Sequence, residues 1–158
     1  MNTMIRYKHT QIGITIIVPV SVAIIVFFVM LAAGRVIVPV WSVAAIVLLT
    51  PLLLALFGTL TVSVDGERLL AKFGIGLVRK SIPLSRIASF QSVRMRWLYG
   101  FGIHWIPSRG WLYNVSGLKA VEIIMKSGKH TLIGTDEPDT LCRALEKSVP
   151  KEPAGIFR

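Results

Sequence analysis

The chain has 158 residues, 53% of them hydrophobic, a mean hydropathy of +0.66 and a formal net charge of +10. That apolar share exceeds what a soluble fold of this size carries, so a wholly water-soluble globule is excluded and part of the chain is expected in lipid. The lone cysteine, Cys142, excludes a disulfide framework within the chain and a cysteine-paired zinc site.

A short segment, 1–11, carries Arg6 and Lys8 and leads into two apolar runs, 12–33 and 36–60, that hold no ionisable side chain. Each run exceeds the roughly 20 helical residues that cross a hydrocarbon core of about 30 Å, so they predict a transmembrane helical hairpin. Pro19, Pro39 and Pro51 are compatible with membrane helices, where neighbouring helices re-satisfy freed backbone groups. The first run is too long for a signal-peptide core and a second follows at once, which favours an uncleaved anchor. At membrane depth only Thr15, Ser21, Ser42 and Thr50 are polar, so transport by this chain alone is not expected.

Only Gly34 and Arg35 separate the runs, so both ends of the hairpin are expected on one side. Arg6 and Lys8 precede it, Arg68, Lys72, Arg79 and Lys80 follow it, and the turn has Arg35 alone. This bias predicts a multi-pass protein of the cytoplasmic membrane with both termini in the cytoplasm. Fifteen of the eighteen basic residues and all eight acidic ones follow residue 60. A basic unit beside an anionic leaflet is drawn toward it; the same charge also serves topology and solubility.

Residues 61–149 read as one cytoplasmic domain. In "TLTVSVD" the apolar Leu60, Val62 and Val64 alternate with Thr61 and Ser63, and Asp65-Gly66 gives a hairpin signal. "RLLAKF", "LVRKSIP", "RIASFQSV", "LKAVEIIMK" and "HTLIG" read as further strands, and the segment around Gly100, Gly102, Pro107 and Gly110 supplies one or two more, about seven in all. "TDEPD" offers caps and acidic groups for a helix start, after which Leu141, Cys142, Leu145 and Val149 recur at helical spacing. Residues 150–158 read as a flexible tail.

The stretch from Val93 to Gly117 gathers Trp97, Tyr99, Phe101, Trp105, Trp111 and Tyr113 with Arg94, Arg96 and Arg109. Extended, Trp97, Tyr99 and Phe101 would share one face and could fill a core. Tryptophan and tyrosine also favour lipid headgroups, with arginines pairing to phosphates, which makes Arg94, Arg96, Trp97, Tyr99, Phe101, Trp105 and Arg109 candidates for a membrane or partner surface. A peptide added to an open sheet edge is a third use. Nucleic acid is not expected, since no RNA-binding signature accompanies the aromatics.

Signals for chemistry are weak. His9, His104 and His130 are scattered without metal spacing, and the Gly74–Gly76 and Gly100–Gly102 pairs lack the lysine and hydroxyl residue of a phosphate loop. Asp136, Glu137 and Asp139 have a sufficient role at a helix start, and no nucleophile has an oriented base. His104 reads as a sheet residue and Cys142 as a small core residue. No enzyme activity, cofactor or metal is expected.

With "GFGIHWIPSRGWLYNVSGLKAVEI" and "SGKHTLIGTDEPDTLCRALE" following two membrane helices, the chain resembles the bacterial pleckstrin-homology-like (PH-like) membrane proteins. The resemblance implies two bent antiparallel sheets, a PH-like barrel or sandwich, with the C-terminal helix plugging one open end. It also implies a binding module for a protein partner, a second copy of the chain or anionic lipid headgroups. The first turn, Asp65-Gly66-Glu67, is acidic, and Lys72, Arg79 and Lys80 do not reproduce the phosphoinositide-binding pattern. The expectation is a membrane-anchored, non-enzymatic interaction module; the alternative is an accessory subunit of a membrane transporter or lipid-processing complex acting through its helices.

Overall fold

The computed structural model describes residues 5–107 and 109–150. In chain order the elements are β1 (Tyr7–Ile12), α1 (Ile14–Ala32), α2 (Val40–Phe57), β2 (Thr59–Val64), β3 (Arg68–Phe73), β4 (Val78–Pro83), β5 (Ile87–Arg94), β6 (Gly102–Ile106), β7 (Gly110–Asn114), β8 (Lys119–Met125), β9 (His130–Gly134) and α3 (Pro138–Glu146). Short 3-10 turns occupy Leu84–Arg86 and Trp97–Tyr99.

The two apolar runs become helices long and apolar enough to cross a membrane, and neither buries a residue. Their ends are trimmed from the expected 12–33 and 36–60. Ile12 belongs to a strand, Gly34 turns the chain at a positive φ of 67°, and Pro39 immediately precedes α2 in an extended conformation. At the other end Gly58 caps α2 and Thr59 opens β2.

The segment expected only to lead into the first span is in fact β1. It pairs antiparallel with β2 from Tyr7 opposite Val64 to Ile12 opposite Thr59. Tyr7, His9 and Gln11 face inward while Lys8 and Thr10 face out, a period of two written mostly in polar residues. Without β1, strand β2 would expose a row of unpaired backbone groups. The chain therefore leaves β1 for α1 through Gly13 alone and returns from α2 to β2 through Gly58 alone. The Gly13 N–H donates to the Gly58 carbonyl at 2.8 Å. The helical pair thus enters and leaves one sheet through adjacent strands.

The first sheet is a four-stranded meander, β1-β2-β3-β4, and the second has five strands in the order β5-β8-β9-β7-β6. Among the described residues nine strands replace the expected seven, and they are not all antiparallel, because β7 and β9 pair in parallel from Trp111 opposite Thr131 to Tyr113 opposite Ile133. The sheets do not close into a barrel. Strands β1 and β4 of the first sheet and β5 and β6 of the second are edges that pair on one side only.

The main core lies between the sheets and under α3. Leu60, Val62, Val64, Leu69, Phe73 and Ile82 from the first sheet meet Val121, Ile123 and Ile133 from the second and Leu141 and Leu145 from α3. Full burial of such side chains contributes about 1.5–3 kcal/mol each. Pro138 opens α3 and Asp139 stands in its first turn, as expected, but the N-cap residue Glu137 makes no side-chain capping bond; the Thr135 hydroxyl instead accepts the Glu137 N–H at 3.1 Å in the turn before the helix. Cys142 is half-buried against this core, and burial first, then Asp139 and Glu146, pushes its thiol pKa up. Residues 151–158 of the expected tail lie outside the described residues.

A second cluster covers the opposite face of the five-stranded sheet. Met95, Ile106, Leu112, Ala120 and Leu132 pack there with Val93 and Tyr99. The 95–101 segment folds back over that face, and this gives it a core to cover.

Candidate binding surfaces

The strand directions divide the β unit into a helix-side end and a far end. The helix-side end holds Ile12, Thr59, the β3–β4 turn and residues 115–118. Thr15 at the start of α1 shares a hydroxyl–hydroxyl hydrogen bond of 2.6 Å with Ser116, and the Gln11 amide donates to the Ser116 carbonyl at 2.8 Å. The β3–β4 turn docks on the last turn of α2, where the Ile75 N–H donates to the Ala55 carbonyl at 3.1 Å. The far end holds the β2–β3, β6–β7 and β8–β9 turns.

This division splits the aromatic stretch in two. Its first half begins where the Met95 N–H meets the Leu118 carbonyl and ends where Gly102 pairs with Asn114, both at the helix side. Arg94 and Arg96 are exposed there, Trp97 is 74% exposed and Phe101 36%. Tyr99 is half-buried in the second cluster. Because Trp97–Tyr99 is a 3-10 turn rather than a strand, these rings do not share one extended face with Phe101.

The second half is at the far end. Trp105 and Trp111 lie opposite each other across β6 and β7 and meet edge to face with ring centroids 5.9 Å apart. Tyr113, farther along β7, instead packs on Phe73 in the main core, and burial raises its phenol pKa. Arg109 lies in the turn of the same hairpin and its charge acts on the buried carboxylate of Glu122. Burial alone would raise that carboxyl's pKa, but hydrogen bonds from Gln91 and His130 with the charge of Arg109 outweigh it and hold it below its ordinary value. Arg109 therefore serves a buried acid, and the seven candidates separate into Arg94, Arg96, Trp97, Tyr99 and Phe101 at one end and Trp105 and Arg109 at the other.

Trp105 and Trp111 line a cleft of about 730 Å³ between the edge of β4 and the β6–β7 hairpin. Lys80 and Pro83 come from β4, Arg86 from the turn after it, Met125 from β8, Lys126 and Lys129 from the β8–β9 turn, and His130 from β9. Among the described lining residues none is acidic. Two aromatic faces beside four cations suit an anionic ligand with an apolar or ring-bearing part. Trp111, Lys80, Arg86 and Lys129 were not candidates from sequence. They are separated along the chain, and the fold alone brings them together. Arg86, Lys126 and Lys129 do share a sequence signal, a cation in the turn that follows a strand, whereas Lys80 lies within β4 and Trp111 within β7.

The histidines have structural partners. His9 Nε2 lies 2.6 Å from an Asp136 carboxylate oxygen, and Glu137 stands 3.8 Å from the other ring nitrogen, which fastens β1 to the link between β9 and α3. Tyr7 is buried nearby, and burial, with Glu137 and Asp136 adding to it, pushes its phenol pKa up to about 12 despite Thr135 beside it. His130 meets Glu122 at 3.2 Å. His104 lies within β6, half-buried, opposite Leu112. Among the described residues no three His, Cys, Asp or Glu side chains converge to hold a metal. No family model, curated protein or solved structure matches the chain.

Proposed function

We infer that the chain is a membrane-anchored, PH-like interaction module with no chemistry of its own. Its helices cross the cytoplasmic membrane as a hairpin with both termini in the cytoplasm. The β unit holds its far-end cleft toward water to receive an acidic segment of a partner protein. The observation that carries this reading is the cleft itself: Lys80, Arg86, Lys126 and Lys129 around Trp105 and Trp111, with no acidic residue among its described lining. The flanking edges of β4 and β6 offer unpaired backbone groups to an extended segment. The two packed sheets and the terminal helix support the PH-like likeness, from which the parallel β7–β9 pair departs. Fold likeness by itself names no partner.

The test uses the full chain in lipid nanodiscs, titrated with a glutamate-rich peptide bearing one phenylalanine while tryptophan emission is followed. Binding is expected to weaken with salt and to fall about tenfold in a Lys80→Glu, Lys129→Glu double variant, the change that loss of two partly exposed ion pairs gives. Equal binding of a lysine-rich peptide, or indifference to the double variant, overturns the reading.

A second reading, an accessory subunit acting through its helices, is favoured by one observation: α1 and α2 bury no residue and leave their faces open to another helix. Replacing 14–57 by an unrelated apolar hairpin of equal length separates the two. The cleft reading predicts unchanged peptide binding, and the accessory reading predicts loss of a stoichiometric intramembrane partner.

A further inference from the structure

We propose that the β3–β4 turn, residues 74–77, is a third membrane-contacting element, which seats Ile75 and Leu77 at the acyl–headgroup boundary while Lys72 and Arg79 meet anionic lipid headgroups. The proposal rests on the reading that α1 and α2 cross a bilayer, and the level of the turn follows from its attachment to α2. Helix α2 has 18 residues, so it is about 27 Å long at ~1.5 Å per residue. A hydrocarbon core of about 30 Å uses all of that length, leaving no spare turn to rise into water. The Ile75 N–H is bonded to the Ala55 carbonyl, two residues before the end of that helix, and the Gly74 N–H to the Thr59 carbonyl at 2.9 Å. The turn is therefore fixed at the depth of the last turn of α2.

Its side chains suit that depth. Ile75 is 74% and Leu77 75% exposed, a pair of large apolar groups at a hairpin tip where polar residues are the rule. Directly behind them Lys72 pairs with Arg79 across β3 and β4 on the outer face, both exposed. The same row continues through Thr61 and Thr10, whose hydroxyls share a 2.9 Å hydrogen bond. An apolar tip backed by cations is the arrangement by which an element enters the interface of an anionic bilayer.

The experiment places an environment-sensitive nitrobenzoxadiazole label on single cysteines in the full chain, with Cys142→Ser as background, in vesicles of phosphatidylcholine with and without phosphatidylglycerol. Ile75→Cys and Leu77→Cys test the turn, Leu52→Cys reports α2 and Glu67→Cys reports the opposite turn of the same strand. Labels at 75 and 77 are expected to emit blue-shifted light, to be quenched by lipids brominated along the chain, and to be protected from aqueous iodide. The label at 67 should show the reverse. Lys72→Glu with Arg79→Glu should reduce the lipid quenching of the label at 75 more in anionic than in neutral vesicles. A lipid-embedded label at 52 with water-exposed labels at 75 and 77 overturns the proposal and leaves the membrane reading standing. A water-exposed label at 52 overturns both.

Discussion

Strand β3 carries a turn at each end, and the two differ in every property that matters. The far turn, Asp65-Gly66-Glu67, is polar and closed by its own side chain: the Asp65 carboxylate accepts the N–H groups of Glu67 at 2.8 Å and Arg68 at 2.6 Å, and its bond to a neighbour, from the Leu84 N–H to the Glu67 carbonyl at 2.9 Å, stays within the β unit. The helix-side turn is apolar at Ile75 and Leu77 and takes a backbone bond from outside the sheet, the Ala55 carbonyl of α2. A polar turn closed by a local side-chain bond can stand in water, whereas an apolar turn bonded to the end of α2 is held at the level of that helix end. The chemistry of each turn thus reports the surroundings of that end of the β unit.

The largest expected effect comes from adding a methyl group at each turn. Gly74 has φ of 45°, and a Cβ there would collide with the Ala55 and Leu56 carbonyl oxygens. Gly74→Ala should cost about 3 kcal/mol, since strain in the left-handed region adds to the forced separation from α2. Gly66 meets nothing within 4 Å, so Gly66→Ala should stay within about 0.5 kcal/mol. Thermal unfolding of both variants in one detergent checks the contrast, and equal losses would break it.

Asp65→Ala removes both local bonds of the far turn and should cost about 1–2 kcal/mol in the same assay. A smaller effect, confined to acid, is expected from Glu122. Its carboxyl pKa is lowered on folding, so its contribution is complete above the unfolded value and is lost as pH falls through the lower folded value. Unfolding midpoints of Glu122→Gln should therefore decline less than those of the parent on going from neutral pH into that acid range. The smallest change is expected for Thr15→Val, which deletes the hydroxyl bond to Ser116 and should cost about 0.5–1 kcal/mol. A loss as large as that of Gly74→Ala would show that residues 115–118, rather than the β3–β4 turn, hold the β unit to the helices.

Several elements were legible because their signals are local. Alternation in Leu60, Val62 and Val64 with the Asp65-Gly66 turn marked the β2–β3 hairpin, and Leu141 and Leu145 after a proline in the first turn marked α3. Strand β1 was missed because its inward residues are Tyr7, His9 and Gln11, which carry no apolar period. It pairs with a strand that lies beyond both helices. The aromatic stretch was read as one feature because contiguity was all that was available. A 3-10 turn at Trp97–Tyr99 and a hairpin at Pro107 send its halves to opposite ends.

By itself the sequence determined two helices long and apolar enough for a membrane, a strand-rich unit after them and a closing helix, because those properties depend on runs and periods of neighbouring residues. Tertiary structure alone decided that β1 completes the first sheet, that β7 lies parallel to β9, that Ile75 rests on Ala55, and that Lys80, Arg86 and Lys129 surround Trp105 and Trp111. Those pairings join residues far apart in the chain. They are selected by the burial of a shared core and by backbone groups that must each find a partner, which no local window records.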